Sequence, residues 1–355
     1  MLRKILLTAC VFACFSFRYE ENKHSAEIAI VADLSGSTNG LLDDLRDNLW
    51  NLINYFNRNN PETELRLAFV GFSRGSFGLE NAYVRTLSDL TSQYDFISYE
   101  LFRMVGSVEK GDQYVGAALK TAITNLSWSN DKATKKLILL FGNSRADLGY
   151  VNYSDAVQAA INKGIIINSI YCMKLDTDHR ILSKWHSIAD GTGGSLYKYQ
   201  VTKRSPNKNY TQGAQRLIDL NNSLNDTYIP FSKKTSEVLN KMISADVNSL
   251  QMSERFFISR CLYKCNGRYQ SYLNENDLVA IYAKHGELPD YNRNFFPRDL
   301  RKVKEDELKA IVSVRIERRQ RLLEKLNQVL IEADYNKLSE NPIDSIFAES
   351  IGRHF

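Results

Sequence analysis

Five short apolar runs, EIAIVA, LRLAFVGF, KKLILLF, GIIINSIYC and GSLYKY, alternate with stretches of helical periodicity between residues 27 and 199. Several of these runs are apolar at consecutive positions, as strands covered on both faces are. Between them, residues 41–58 place Leu42, Leu45, Leu49, Leu52, Ile53 and Phe56 on one helical face, and residues 115–126 and 154–163 repeat the pattern, with Gly164 as a stop. Alternation of this kind predicts an α/β fold: a doubly wound, mostly parallel central sheet flanked by helices. Ligands of such sheets bind beyond the carboxyl ends of the strands.

Past Pro230 the pattern changes to helix without clear strands, so residues 231–355 are expected to be mainly helical. Residues 305–332 carry the strongest signal, with Leu308, Ile311, Val312, Leu322, Leu326, Val329 and Leu330 at three- and four-residue spacings amid dense charge. A helix of that length runs to about 40 Å, and its charge predicts packing along one face only. Residues 266–296 are rich in Tyr and Asn and predict no particular element. A polar, basic, Pro-bearing stretch near residues 201–213 reads as an exposed loop.

A chain of 355 residues with 43% hydrophobic and 25% charged positions is long enough for about two domains of globular composition. Its net charge of +5 is too mild to point to nucleic acid. The start, MLRKILLTACVFACFSF, has Arg3 and Lys4 ahead of an apolar stretch too short to span a bilayer, the layout of a secretory signal over residues 1–17. Within it, Val11-Phe12-Ala13-Cys14 matches a lipoprotein cleavage box with Cys14 as the lipidated residue; an ordinary signal peptide with incidental cysteines remains the alternative. Either way export is expected, to the periplasm or cell envelope, with membrane contact only through an N-terminal lipid. Cys172, Cys261 and Cys265 are odd in number, and the last two sit four apart, where a disulfide would be strained, so free thiols are expected.

The candidate chemistry lies where the first strand ends, in Asp33-Leu34-Ser35-Gly36-Ser37. The strand delivers the acid, and the tight turn brings Ser35 and Ser37 round beside it. Two hydroxyls, a carboxylate and waters would suit an octahedral Mg²⁺ ion. The same residue types also form a turn that caps the following helix, and the two readings stay open.

On that pentapeptide after a buried strand, with RLAFVGF next and the α/β alternation beyond, the chain resembles a von Willebrand factor A domain over about residues 27–199, extending through Pro230. GSTNGLLDDLRDNLWNLINY, GDQYVGAALKTAITNLSW, LILLFGNSRADLGYVNYSDAVQAAINKGIIINSIYC and LNDTYIPF make it similar, more narrowly, to secreted bacterial members. The resemblance implies a Rossmann-like domain over residues 26–230. It also implies a metal-ion-dependent adhesion site built from the Asp-x-Ser-x-Ser triplet, a Thr from a second loop and an Asp after a central strand. Here the triplet is intact, the Thr position falls on Gln113 with Asp112 beside it, and the later Asp falls on Gly142 with Asn143 next. The resemblance therefore implies a degenerate site for Mg²⁺ or Mn²⁺ on Asp33, Ser35, Ser37, Asp112 and Gln113, with a protein partner met by Asn39, Tyr114, Asn143 and Arg145.

Two enzyme readings compete. Gly71-Phe72-Ser73-Arg74-Gly75 has the Gly-x-Ser-x-Gly pattern of a hydrolase elbow, but an elbow must turn directly into a helix, and here more glycine and another strand around YVRTL come next. A phosphatase using Asp33 as nucleophile needs a second acid two residues on, where Ser35 stands. The expectation is therefore a non-enzymatic, exported binding module, with a structural envelope role for the C-terminal helices as the alternative.

Overall fold

The computed structural model describes residues 25–104, 109–174, 178–201, 211–332 and 342–355. The proposed signal segment and Cys14 lie outside them. Six strands form one sheet in the order β3-β2-β1-β4-β5-β6: β1 (Ser25–Asp33), β2 (Glu64–Phe72), β3 (Val84–Thr91), β4 (Lys135–Gly142), β5 (Ile165–Cys172) and β6 (Leu196–Tyr199). All neighbours are parallel except the edge strand β3, which runs antiparallel to β2. The chain winds outward from β1 in both directions, so the order reverses between β1 and β4, and the crevice for a ligand opens at their carboxyl ends.

β1 is apolar at consecutive positions because both of its faces are covered. Ile28, Ile30 and Ala32 point into one core, with α1 (Leu41–Asn59) and α2 (Tyr94–Arg103). Ala29 and Val31 point into the other, with α3 (Val115–Asn125), α4 (Tyr153–Asn162) and α5 (His179–Asp190). The helices expected over residues 41–58, 115–126 and 154–163 are thus present. α2 and α5 are helices additional to those expected; they bury Tyr94, Ile97 and Leu101, and Trp185, Ile188 and Ala189, at three- and four-residue spacings.

The C-terminal helices are α6 (Gln212–Asn225), α7 (Lys233–Met252), α8 (Glu254–Lys264), α9 (Gly267–Leu273), α10 (Leu278–His285), α11 (Glu305–Glu332) and α12 (Pro342–His354). α11 matches the expected bounds and buries Leu308, Val312, Leu326, Val329 and Leu330. These helices hold two apolar clusters of their own, one around Leu217, Phe257 and Leu326 and one around Ile229, Leu278 and Leu308, and part of them also joins the core of the sheet. Met242, Phe256, Tyr263, Ile343 and Phe347 belong to the same core as β1 and α1. Trp50 of α1 stacks on Tyr263 at 5.1 Å between ring centroids, Phe141 of β4 meets Phe347 edge-on at 6.3 Å, and Phe56 meets Phe355 at 5.5 Å.

A buried charge set ties the two parts together. Arg260 of α8 pairs with Asp95 of α2 at 2.7 Å and with Asp246 of α7 at 2.9 Å, and Lys264 reaches Asp246 at 2.8 Å. The guanidinium also lies over Trp50, 4.4 Å from the ring centre. Burial alone would raise the Asp246 carboxyl, yet Lys264 and Arg260 hold it well below its ordinary value; Asp95, buried with less compensation, is pushed up. Two cations balance two anions, and removing one leaves its partners charged and dry. Arg260→Ala is expected to cost about 3–5 kcal/mol of unfolding free energy, read by chemical denaturation of the full chain; a loss of under about 1 kcal/mol, the worth of a surface pair, would show that the set does not hold the two parts together. The three described cysteines, Cys172, Cys261 and Cys265, are free thiols, as expected.

Candidate functional site

Asp33 ends β1 fully buried, and its Oδ1 accepts the Ser35 backbone N–H at 2.9 Å. Thr38 then closes the turn: its hydroxyl reaches the carbonyls of Asp33 (2.7 Å) and Ser35 (3.0 Å). The chain passes through a 3-10 turn at Gly36–Thr38 and enters α1 with Gly40 as the N-cap residue and no side-chain cap. The serines therefore do not cap the helix; they face each other, Oγ to Oγ at 2.9 Å.

Two amides complete the cluster. Gln113, just ahead of α3, donates from Nε2 to Ser35 Oγ at 2.7 Å and to Ser37 Oγ at 2.9 Å. Asn143, just past β4, accepts the Ser37 hydroxyl at Oδ1 (2.8 Å) and donates from Nδ2 to the Ser37 carbonyl (3.1 Å). Three loops from separate parts of the chain are thus knotted at the crevice between β1 and β4.

Four of the expected ligands, Asp33, Ser35, Ser37 and Gln113, come together, but two placements, those of Asp112 and Asn143, need correcting. Asp112 is exposed, and its carboxylate accepts the Tyr114 hydroxyl at 2.8 Å instead of joining the serines. Gly142, where the family's Asp would fall, brings no side chain to the site, as expected. A Cβ there would lie 2.9 Å from the Trp185 ring and 3.0 Å from Asp33 Cβ, so the strand end has no room for a side chain, and Asn143 is the residue that turns inward. Asn143 is consequently buried, and is not an exposed partner contact. Asn39 and Arg145 are exposed as expected; Arg145 is held by Asp147 at 3.0 Å.

A divalent ion does not fit the donors as arranged. One carboxylate, that of Asp33, meets the cluster; its Oδ2 is buried without a hydrogen-bond partner, and burial pushes its pKa up. Both lone pairs of Ser37 Oγ already accept, from Ser35 and from Gln113, and one of those on Ser35 Oγ accepts the other Gln113 amide hydrogen. No group of three or more His, Cys, Asp or Glu side chains placed to hold a metal occurs among the described residues.

Beside the cluster lies a depression of about 430 Å³ lined by Ser35, Ser37, Tyr83, Lys110, Asp112 and Gln113. Tyr83 of this lining packs on Tyr114, and Tyr114 on Tyr150, with centroids 6.1 Å and 5.7 Å apart, so an aromatic rim of three tyrosines runs outward from the depression. The rim is built under strain: Ala82 and Tyr83 both take φ 55, and Ser73 takes φ 71, conformations that cost about 1–3 kcal/mol each outside glycine. Gly149 (φ 87) makes room for the Tyr114 ring, which a Cβ would meet at 2.8 Å. Sequence reasoning misses Tyr83 and Tyr150, because isolated tyrosines in polar loops carry no periodic signal. Ser73 is fully buried with its Oγ unpartnered.

The loop bearing Gln113 is anchored by Glu109, which pairs with the buried Arg74 and accepts the Ser76 N–H at 2.7 Å. Partial desolvation raises the Glu109 carboxyl, but hydrogen bonds from Ser76 and Arg74 outweigh it and bring the value down to about 2. A folded-state value below the unfolded one means that the anchor stabilises above the ordinary carboxylate range and is lost as pH falls towards the folded value. Glu109→Gln should cost about 1–3 kcal/mol at neutral pH, and its deficit against wild type should shrink below about pH 4; a pH-independent deficit in melting temperature would refute the assignment.

A family model, von Willebrand factor type A domain, matches residues 27–205, just over half of the chain. Similar solved structures include an aerotolerance-related membrane protein from Bacteroides fragilis, 16% identical, with 49% of this chain and 92% of that one covered and a TM-score of 0.35. The pilus adhesin SpaC from Lactobacillus rhamnosus GG is 15% identical, with 51% and 28% covered and a TM-score of 0.40. The SpRpn10 VWA domain is 15% identical, with 50% and 90% covered and a TM-score of 0.36. No curated protein matches the sequence.

Proposed function

The chain belongs to the von Willebrand factor type A family, whose domains commonly mediate contact between proteins, and we propose that it is an exported module that binds a protein partner through the loops at the carboxyl ends of β1 and β4. The observation that carries this is the tyrosine rim. Tyr150 is 73% exposed, yet it packs on Tyr114, which is pinned by Asp112 and Gly149. Rigid aromatic side chains ordered before binding supply contact area at low entropic cost, which is why they dominate binding energy at interfaces. Beside them, Asp112, Lys110 and Arg145 supply the polar rim, with Asn39 on the same loop end.

Binding without turnover is the second half of the proposal. Its support is the burial of Ser73, whose hydroxyl no substrate could reach without movement of the loop, and the 3-10 turn at Gly75–Phe77 that comes after it where an elbow would need a helix. Ester and phosphate substrates should be turned over no faster by wild type than by Ser73→Ala or Asp33→Asn.

Because α7, α8 and α12 share the core of the sheet, truncation cannot separate a loop-face role from a role for the C-terminal helices; point changes can. Tyr150→Ala and Tyr114→Ala should each weaken capture of partner from envelope extract by tenfold or more, Tyr150→Ala without lowering the melting temperature. A charge placed on the outer face of α11 at Val314, 62% exposed, should leave capture unchanged; the reverse pair of results would move recognition to α11. Export rests on residues 1–17 and lipidation on Cys14. Mass spectrometry of the native N-terminus should find Cys14 first and lipid-modified; a retained Met1 overturns export, and an unmodified N-terminus beyond Cys14 overturns lipidation alone.

A further inference from the structure

We propose that the side-chain amide of Gln113 takes the place of a divalent ion at the β1–α1 turn, so that this loop end is organised without metal. The hydrogen bonds fix the polarity of the cluster. The Ser37 carbonyl requires a donor from Asn143, so Asn143 presents Nδ2 to it and Oδ1 to the Ser37 hydroxyl, at 3.1 and 2.8 Å. That interaction uses the single hydroxyl proton of Ser37. Its Oγ can then only accept from Ser35 and Gln113, both at 2.9 Å, and Gln113 must turn its NH₂ inward. The second amide hydrogen goes to Ser35 Oγ at 2.7 Å.

One amide with two hydrogens thus bridges two hydroxyl oxygens, the work a cation would do with its inner ligands. A Mg²⁺ ion would compete for the same lone pairs and would need oxygen ligands on all sides. The cluster offers it one carboxylate and two carboxamides, and a carboxamide adds no charge against a double positive. Gln113 is also held in place from below, because Glu109, four residues earlier, is fastened to Arg74 and to the Ser76 N–H.

This geometry involves no partner, so failure of the inference is separable from failure of the proposed function. Calorimetry of the mature chain with Mg²⁺ and Mn²⁺ should show no saturable heat at millimolar ion, and chelator should leave the melting temperature unchanged. In Gln113→Thr/Asn143→Asp, which removes the amide donor and adds a carboxylate, Mn²⁺ should bind with saturable heat that a further Ser35→Ala abolishes. Saturable binding to wild type that is lost in Ser35→Ala/Ser37→Ala would overturn the inference. So would a double variant that melts like wild type and takes up no ion. If that variant does not fold, Gln113→Glu, which keeps the shape and exchanges the donor for a carboxylate oxygen, is read in its place with the same two outcomes.

Discussion

Covering β1 on both faces is the constraint on which the rest of the molecule depends. The strand carries apolar residues at consecutive positions, and leaving either face in water would expose one of two cores. One face is closed by α3, α4 and α5, which the α/β alternation supplies. The other is only partly closed by α1 and α2, and the C-terminal helices finish it, with Phe347 against Phe141 and Tyr263 against Trp50.

This explains why a charge network sits in the middle of an apolar contact. Stacked aromatic surfaces alone would allow α8 to slide along α1. Arg260, caught between Asp95 and Asp246 and lying on Trp50, admits one position. Buried ion pairs add little net stability compared with apolar substitutes, so position is what this set contributes. It also joins α2 of the sheet domain to α7 and α8 of the helical region.

The same burial shapes the loop face. Asp33 lies at the end of a strand with no water on either side, and its second carboxylate oxygen has no hydrogen-bond partner. Around it the chain gathers neutral donors and acceptors, Ser35, Ser37, Gln113 and Asn143, in place of further charge. Strain at Ser73, Ala82 and Tyr83 accumulates in the loop directly beside this cluster. Strain persists only where the surroundings impose it, and here its product is a tyrosine rim that starts at an open depression and runs outward from it.

Much of the architecture was legible from residue order, because periodicity is a local property: two-sided apolar runs located β1, β2, β4 and β5, three-to-four spacing located α1 and α11, and Asp-x-Ser-x-Ser after a strand located the turn. Asp33, Ser35, Ser37 and Gln113 are nameable from their positions and do meet. What spacing could not decide was direction. Adjacent residues at a strand end point opposite ways, so choosing between Gly142 and Asn143 required knowing that Trp185 crowds the former. Asp112 and Gln113 diverge in the same manner, one towards Tyr114 and the other towards the serines. The fusion of the helical region with the sheet was equally out of reach, since Arg260 and Asp95 lie 165 positions apart in the chain and only the packed structure brings them within 2.7 Å.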